Sequence, residues 1–156
     1  MSIQLLKDYI SENFGMWSSP VHGLSHWNRV WSYGQTIGWS VDADMEIVEY
    51  FAYLHDCRRY DDGIDPGHGG RAGIFAKQNR ELFDLSDAQF KQLVRAVSGH
   101  TDAMPGCKAA NDPTLAVCWD SDRLDIDRVG LVVDPLYLFT EMGKELAYMK
   151  HENEEY

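Results

Sequence analysis

Residues 42–59 read DADMEIVEYFAYLHDCRR, an apolar run that begins among aspartates and ends in a His-Asp pair. The spacing of its apolar residues predicts a helix over this stretch. Val48 and Ala52 lie on one face of that helix, and His55 continues the same stripe. The helix therefore carries an imidazole towards the expected core, with Asp56 about 100° further round its axis.

The rest of the chain also predicts helices, without an internal repeat or a linker. A Ser86-x-x-Gln89 capping box and Asp-Pro pairs at 112–113 and 134–135 indicate helix starts. The predicted helices cover 2–14, 21–38, 42–59 (with Asp42 as N-cap), 69–83, 86–100, 113–124 and 135–150. The strongest strand candidate, VGLVV at 129–133, has no evident partner. We therefore expect an all-α fold of about seven helices in a single domain over 1–156.

Composition is typical of a globular protein. The chain has 156 residues, of which 44% are hydrophobic and 25% charged, which argues against disorder. No apolar run reaches the roughly 20 residues of a membrane span. The first residues, MSIQLLKDYISENF, do not resemble a signal peptide, so a cytoplasmic location is expected.

The charge balance restricts the expected partners. The net charge is −11, which disfavours binding to nucleic acid polymers and anionic membranes, because both require a basic face. Small phosphorylated ligands remain compatible, since a local basic cluster can sit within an acidic shell. Three cysteines without a CxxC pair predict neither a disulfide framework nor a zinc knuckle. The oligomeric state is not predicted.

Two other helices also bring a ligand-type side chain onto an apolar face. His100 continues the face of Val97, and Asp122 follows Cys118 by one turn. A buried carboxylate is costly unless it is paired or bound to a metal. A single such histidine is usually a hydrogen-bonded core residue, but three helices with this pattern leave a shared metal site equally open.

His26 is a further candidate ligand. His22 lies one turn before it, and an i, i+4 histidine pair can bind a metal. We expect His22 to be a surface residue near the helix start, and we assign no role to His151.

The ordered set His26, His55-Asp56 and Asp122 resembles the H…HD…D signature of the HD-domain superfamily of metal-dependent phosphohydrolases. The segments that match the signature are HWNRV (26–30), YLHDCRR (53–59) and WDSDRLD (119–125). Two further segments, GHGGRAG (67–73) and AVSGHTD (96–102), resemble the contexts of two additional histidines found in some members. The resemblance runs from about residue 18 to at least 135 and is nearest to small single-domain bacterial HD proteins. In this alignment the final ligand is Asp122 and not Asp120.

The resemblance implies a metal centre and an activity. The implied ligands of one divalent cation are His26, His55, Asp56 and Asp122. The implied catalytic residues are Asp56, His68 and His100; the two histidines either hold a second metal, with Asp56 bridging, or contact phosphate and relay protons. Such ligands suit Mn, Fe, Co, Ni, Zn or Mg. The implied reaction is hydrolysis of a phosphoester in a small substrate, such as a nucleotide, by metal-activated water.

Three arginines are candidates for binding the substrate phosphate: Arg58, Arg59 and Arg71. The planar guanidinium matches phosphate oxygens, and we expect at least one of the three to contact substrate. The alternative for each is an ion pair with a nearby aspartate, Asp61, Asp62 or Asp65. Arg29 and Arg123 are expected to form structural salt bridges.

Two other functions remain open. A mixed-valent di-iron oxygenase on the same scaffold is disfavoured, because the chain lacks the histidine that some such proteins carry three residues after the doublet aspartate. The other is a non-catalytic module that binds metal or nucleotide for regulation. The sequence does not decide between monoester and diester substrates or identify the metal.

Overall fold

A computed structural model describes residues 3–154 and confirms the all-α prediction. Within these residues there are seven α-helices and no strand. The helices are α1 (Gln4–Asn13), α2 (Leu24–Gly38), α3 (Met45–Leu54), α4 (His68–Gln78), α5 (Asp87–Gly99), α6 (Pro113–Arg123) and α7 (Glu141–Glu154). Five short 3-10 helices join them, at Gly15–Ser18, Arg80–Leu82, Lys108–Asn111, Ile126–Val129 and Pro135–Tyr137. No helix in 3–154 has the length and apolar character needed to cross a bilayer.

The predicted capping signals locate the starts of two helices, α5 and α6. The capping box of Ser86 and Gln89 forms both of its reciprocal hydrogen bonds at the start of α5, and Asp112 caps α6. The prediction of Asp42 as N-cap of α3 is wrong. Asp44 is the N-cap, because its carboxylate accepts from the backbone amides of Glu46 and Ile47. Helix α3 therefore begins at Met45, three residues later than expected.

The last helix also starts later than predicted. The Asp-Pro pair at 134–135 opens only the 3-10 helix Pro135–Tyr137. The buried carboxylate of Asp120 accepts hydrogen bonds from the backbone amides of Phe139 and Thr140, both at 2.8 Å. This long-range tether holds the chain outside a helix at these residues, and α7 begins directly after it.

The core lies between α2, α3, α5 and α6. Helix α2 packs against α3 and α6, while α3 contacts α5. Trp27, Phe51 and Trp119 are among the largest fully buried side chains. Burying an aromatic or branched aliphatic side chain stabilises a fold by roughly 1.5–3 kcal/mol. This packing fixes the ends of four helices relative to one another.

Helix α4 joins the core through a close contact with α5. A Cβ at Gly69 would lie 2.8 Å from the Val97 carbonyl oxygen and 3.0 Å from the His100 ring. A Cβ at Gly73 would lie 2.2 Å from the Ser98 hydroxyl oxygen. Gly69 and Gly73 therefore have a packing reason, since they let α4 approach α5 closely.

The packing brings five helix ends to one place. The six histidines and aspartates implied as ligands occupy these ends: His26 in the first turn of α2, His55 and Asp56 directly after α3, His68 at the start of α4, His100 directly after α5, and Asp122 in the last turn of α6.

Candidate metal centre

Four predicted ligands surround one point in the core. The Nε2 atoms of His26 and His55 lie 3.2 Å apart. Asp122 Oδ1 lies 3.3 Å from the first and 3.5 Å from the second. Asp56 Oδ2 lies 3.5 and 3.6 Å from the same two nitrogens. Ligand atoms held at about 2.1 Å from a tetrahedral cation lie about 3.4 Å from one another, so these separations suit a metal ion.

A second group shares Asp56 with the first. Its other oxygen, Oδ1, lies 2.9 Å from His68 Nε2 and 3.8 Å from His100 Nε2. The two Nε2 atoms are 2.8 Å apart. All three side chains are buried, and the donor atoms form a second possible metal group. Asp56 can therefore offer one oxygen to each of two sites.

Hydrogen bonds to Nδ1 orient the imidazole rings of the four histidines, with Nε2 of each ring facing the centre. Backbone carbonyl oxygens accept from Nδ1 of His55, His68 and His100, and the Asp125 carboxylate lies 2.7 Å from Nδ1 of His26. A carbonyl oxygen can only accept, so Nδ1 carries the proton and Nε2 of the neutral ring carries a lone pair. Each Nε2 is therefore prepared to bind a cation.

The centre is unsatisfied without a cation. The Nε2 atoms of two histidines face each other at 3.2 Å in the first group and at 2.8 Å in the second, which places two lone pairs in contact when both rings are neutral. Asp56 Oδ2 and Asp122 Oδ1 are buried and accept no hydrogen bond. Burying a carboxylate without a partner costs several kcal/mol. A divalent cation in each group would satisfy these atoms, so the residues fit a metal site.

Both carboxylates of the centre are held in the ionised form. Burial alone would raise the pKa of Asp56, but His55, His100 and His68 around it outweigh burial and hold its pKa well below the usual range. Burial opposes ionisation of Asp122 in the same way, and His55 and His26 lower its pKa well below the usual range. Ionised carboxylates are the form that binds metal.

Asp125 supports the first group from outside, and the sequence analysis gave it no role. Its Oδ2 accepts from His26, and its Oδ1 accepts from Arg29 Nε at 2.7 Å. Burial would raise the pKa of Asp125, but His26 and Arg29 keep it lowered. The salt bridge predicted for Arg29 is thus present. The signal was available in the sequence, because Asp125 closes the WDSDRLD segment (119–125) three residues after Asp122, just beyond the end of α6.

Asp120 and Asp122 have separate environments. Asp120 is fully buried and binds the amides of Phe139 and Thr140 and the Thr140 hydroxyl, away from the histidines. Asp122 lies against His26 and His55. The structure therefore brings Asp122 to the centre and gives Asp120 a tethering role.

The expectation that His22 lies on the surface is wrong. Its side chain is buried, and Nδ1 lies 2.9 Å from the Asp62 carboxylate. Ser19 also donates to this carboxylate, and its hydroxyl oxygen accepts from the backbone amides of Val21 and His22 in the turn before α2. His22 therefore forms an aspartate-bound histidine beside the centre, with its ring 6.3 Å from that of His26.

The three candidate arginines lie in different places. Arg59 Nη1 lies 3.7 Å from Asp56 Oδ1, at the edge of the second group. Arg58 packs its guanidinium over the Phe14 ring, away from the ligands. Arg71 pairs with Asp65 and donates to the Arg58 carbonyl oxygen. Arg59 alone of these three borders a ligand through its guanidinium.

One arginine that the sequence analysis did not single out also borders the centre. Arg128 Nη2 lies 3.8 Å from Asp122 Oδ1, and Nη1 donates to the Asp125 carbonyl oxygen at 2.8 Å. Its side chain is 13% exposed, and its Nε is buried without a partner. It lies in a 3-10 helix, where no apolar periodicity marks residues that face the core. Arg123, expected to form a salt bridge, instead donates to the carbonyl oxygens of His100, Ala103 and Tyr137.

Comparison with known proteins supports the fold. No protein-family profile matches the chain, and a search of curated proteins gives no match. Among solved structures, a predicted HD superfamily hydrolase from an uncultured Thermotogales bacterium matches with a TM-score of 0.73 and 20% sequence identity. The match covers 96% of this chain and 84% of that chain. The predicted HD-type helical fold is therefore confirmed.

Proposed function

We propose that this protein is a metal-dependent phosphohydrolase of the HD type, which hydrolyses a phosphoester in a small phosphorylated molecule such as a nucleotide. The main support is the convergence of four buried Nε2 atoms on the carboxylates of Asp56 and Asp122, each of which has one oxygen without a hydrogen-bond partner. The similarity to an HD superfamily hydrolase in fold is consistent with this activity.

Different residues would bind the cations and the substrate phosphate. His26, His55, Asp56 and Asp122 would hold one cation, and Asp56 would share its second oxygen with His68 and His100 for another. A divalent cation supplies Lewis acidity, which lowers the pKa of water and withdraws charge from a phosphoryl oxygen. Arg59 stands at the edge of the second group and would bind a phosphoryl oxygen.

The buried position of the ligands adds to the effect of these charges. The side chains of the four histidines and of Asp56 are at most 5% exposed, and that of Asp122 is 15% exposed. Charges act more strongly in such a site than in water, since the local dielectric is low. The helix ends that carry the ligands are packed in the core, so the donor set is preorganised.

The proposed activity can be tested with protein stripped by chelator and reloaded with Mn²⁺, Fe²⁺, Co²⁺, Ni²⁺, Zn²⁺ or Mg²⁺. p-Nitrophenyl phosphate and nucleoside monophosphates are the substrates, and stripped protein is the control. We expect turnover with at least one metal and its loss in His55→Ala, with helical content retained by circular dichroism. Absence of turnover with every metal, despite a loaded centre, would contradict the proposal.

A further inference from the structure

The metal centre has cationic side chains on two sides. Arg59 borders Asp56 in the second group, and Arg128 borders Asp122 in the first. Their side chains are only 9% and 13% exposed. Long cationic side chains are rarely buried unless they are paired or serve a ligand. These two arginines lie far apart in sequence and reach the centre from different loops.

Arg128 is incompletely satisfied by the protein. Its Nη1 donates to the Asp125 carbonyl oxygen, but its contact with Asp122 at 3.8 Å is longer than a hydrogen bond. Its Nε has no partner. Asp122 is also a predicted metal ligand, so a bound cation would compete for this carboxylate. An anion beside the metal would then be the natural partner of the guanidinium.

The charges that act on His22 include those of both arginines. Burial lowers the pKa of its imidazole, Asp62 and Asp56 oppose this effect, and the charges of Arg59 and Arg128 add to it. The two guanidinium groups also border the ligands directly, at 3.7 Å from Asp56 Oδ1 and 3.8 Å from Asp122 Oδ1. With divalent cations bound to Asp56 and Asp122, the two guanidinium groups would make this region positive, in contrast to the overall charge of −11, and would favour a small anion.

We infer that Arg128, together with Arg59, forms a binding site for the terminal phosphoryl group of a phosphomonoester. A phosphomonoester presents three non-bridging oxygens and a diester presents two. Arg59 Nε and Nη2 are bonded to the carbonyl oxygens of Asp61 and Gly63, so Nη1 is the atom that faces the centre. Arg59 Nη1 on one side and Arg128 Nη2 on the other match the larger number, because each can donate to a different phosphoryl oxygen. This inference rests on the proposed function and names its substrate class.

The test compares metal-loaded wild type with Arg128→Gln, Arg128→Lys and Arg95→Gln. Arg95 is an exposed residue of α5, so its variant controls for the loss of one positive charge. Metal per chain is measured by elemental analysis, and the Kd of inorganic phosphate by calorimetry.

We expect Arg128→Gln to retain metal and to bind phosphate about tenfold or more weakly, as loss of a charge-assisted hydrogen bond predicts. Arg95→Gln should match wild type, and Arg128→Lys should fall between.

Hydrolysis gives a second readout. The inference predicts that Arg128→Gln loses more kcat/KM with p-nitrophenyl phosphate than with bis(p-nitrophenyl) phosphate. Equal losses with both esters, or a phosphate Kd within about twofold of wild type, would overturn it. If Arg128→Gln loses its metal, the phosphate Kd of Arg128→Lys is the deciding measurement. Loss of metal from both variants would show that Arg128 stabilises its loop and would overturn the inference. If wild type hydrolyses neither ester, the proposed function fails, while the phosphate measurement still tests the anion site.

Discussion

At the scale of single residues, the centre depends on which ring nitrogen of each histidine faces the other ligand atoms. Carbonyl oxygens fix Nδ1–H in His55, His68 and His100, which leaves the Nε2 lone pairs facing inward. The identity of these histidines was predictable, because they continue apolar stripes or lie in recognisable motifs. Their tautomers were not, since the acceptors are backbone atoms positioned by helix ends.

Substitution of two neighbouring aspartates should give opposite results. Asp122→Asn should lose metal with little change in fold, because Asp122 Oδ1 is buried among imidazoles. Asp120→Asn should keep metal and lower the free energy of unfolding by about 1–3 kcal/mol, because it weakens buried hydrogen bonds to Phe139 and Thr140. Elemental analysis and thermal unfolding measure both effects. Retention of metal by Asp122→Asn would refute the ligand assignment.

The outer residue Asp125 gives a second test at this scale. Asp125→Asn should weaken metal binding by about 10–100-fold, since it removes the carboxylate that orients His26. Asp127→Asn is the matched control, because Asp127 lies in the same segment and pairs with Lys150 at the surface. Titration against a chelator of known affinity compares the two variants. Equal affinities would show that Asp125 does not support the metal site.

Residues outside regular helices were the hardest to predict. His22 and Asp62 meet through a contact across 40 positions of chain, and Arg128 reaches Asp122 from a 3-10 turn. Neither arrangement follows an apolar periodicity. Local sequence reports which face of a helix is buried, but it does not report how two loops meet.

At the scale of secondary structure, capping chemistry explains both the correct and the incorrect boundaries. The capping box at Ser86 and the Asp112-Pro113 pair start α5 and α6 as predicted. The similar signal at 134–135 opens only a 3-10 helix, because Asp120 tethers the following residues. A helix-start signal is thus overridden where a buried side chain from another helix binds the same backbone.

The contact between α4 and α5 predicts a selective defect. Gly69→Ala should push α4 from α5, because its Cβ would lie 2.8 Å from the Val97 carbonyl oxygen. We expect a loss of about 1–3 kcal/mol in stability, as for overpacking, and weaker metal binding at the His68 and His100 group. Gly70→Ala is the control, since nothing lies within 4 Å of its added Cβ. Similar behaviour of the two variants in thermal unfolding and metal content would contradict the packing argument.

At the scale of the whole molecule, the metal should contribute to stability. Five helix ends meet at the centre, and without a cation they bury unpartnered carboxylate oxygens. Ligand at 100 times its Kd stabilises a protein by about 2.7 kcal/mol, so chelation should lower Tm by several degrees. Calorimetry with and without chelator measures this shift. Asp122→Asn should respond much less, and an equal response would mean that the metal acts elsewhere.

The central claim is that these buried histidines and aspartates bind divalent cations. Anomalous diffraction from crystals of the Mn²⁺- or Zn²⁺-loaded protein tests it most directly, because the anomalous signal locates the ion independently of the protein atoms. The account predicts a peak among His26, His55, Asp56 and Asp122, with a second among Asp56, His68 and His100 if that group also fills. A fully loaded protein whose only anomalous peaks lie away from both groups would contradict the account.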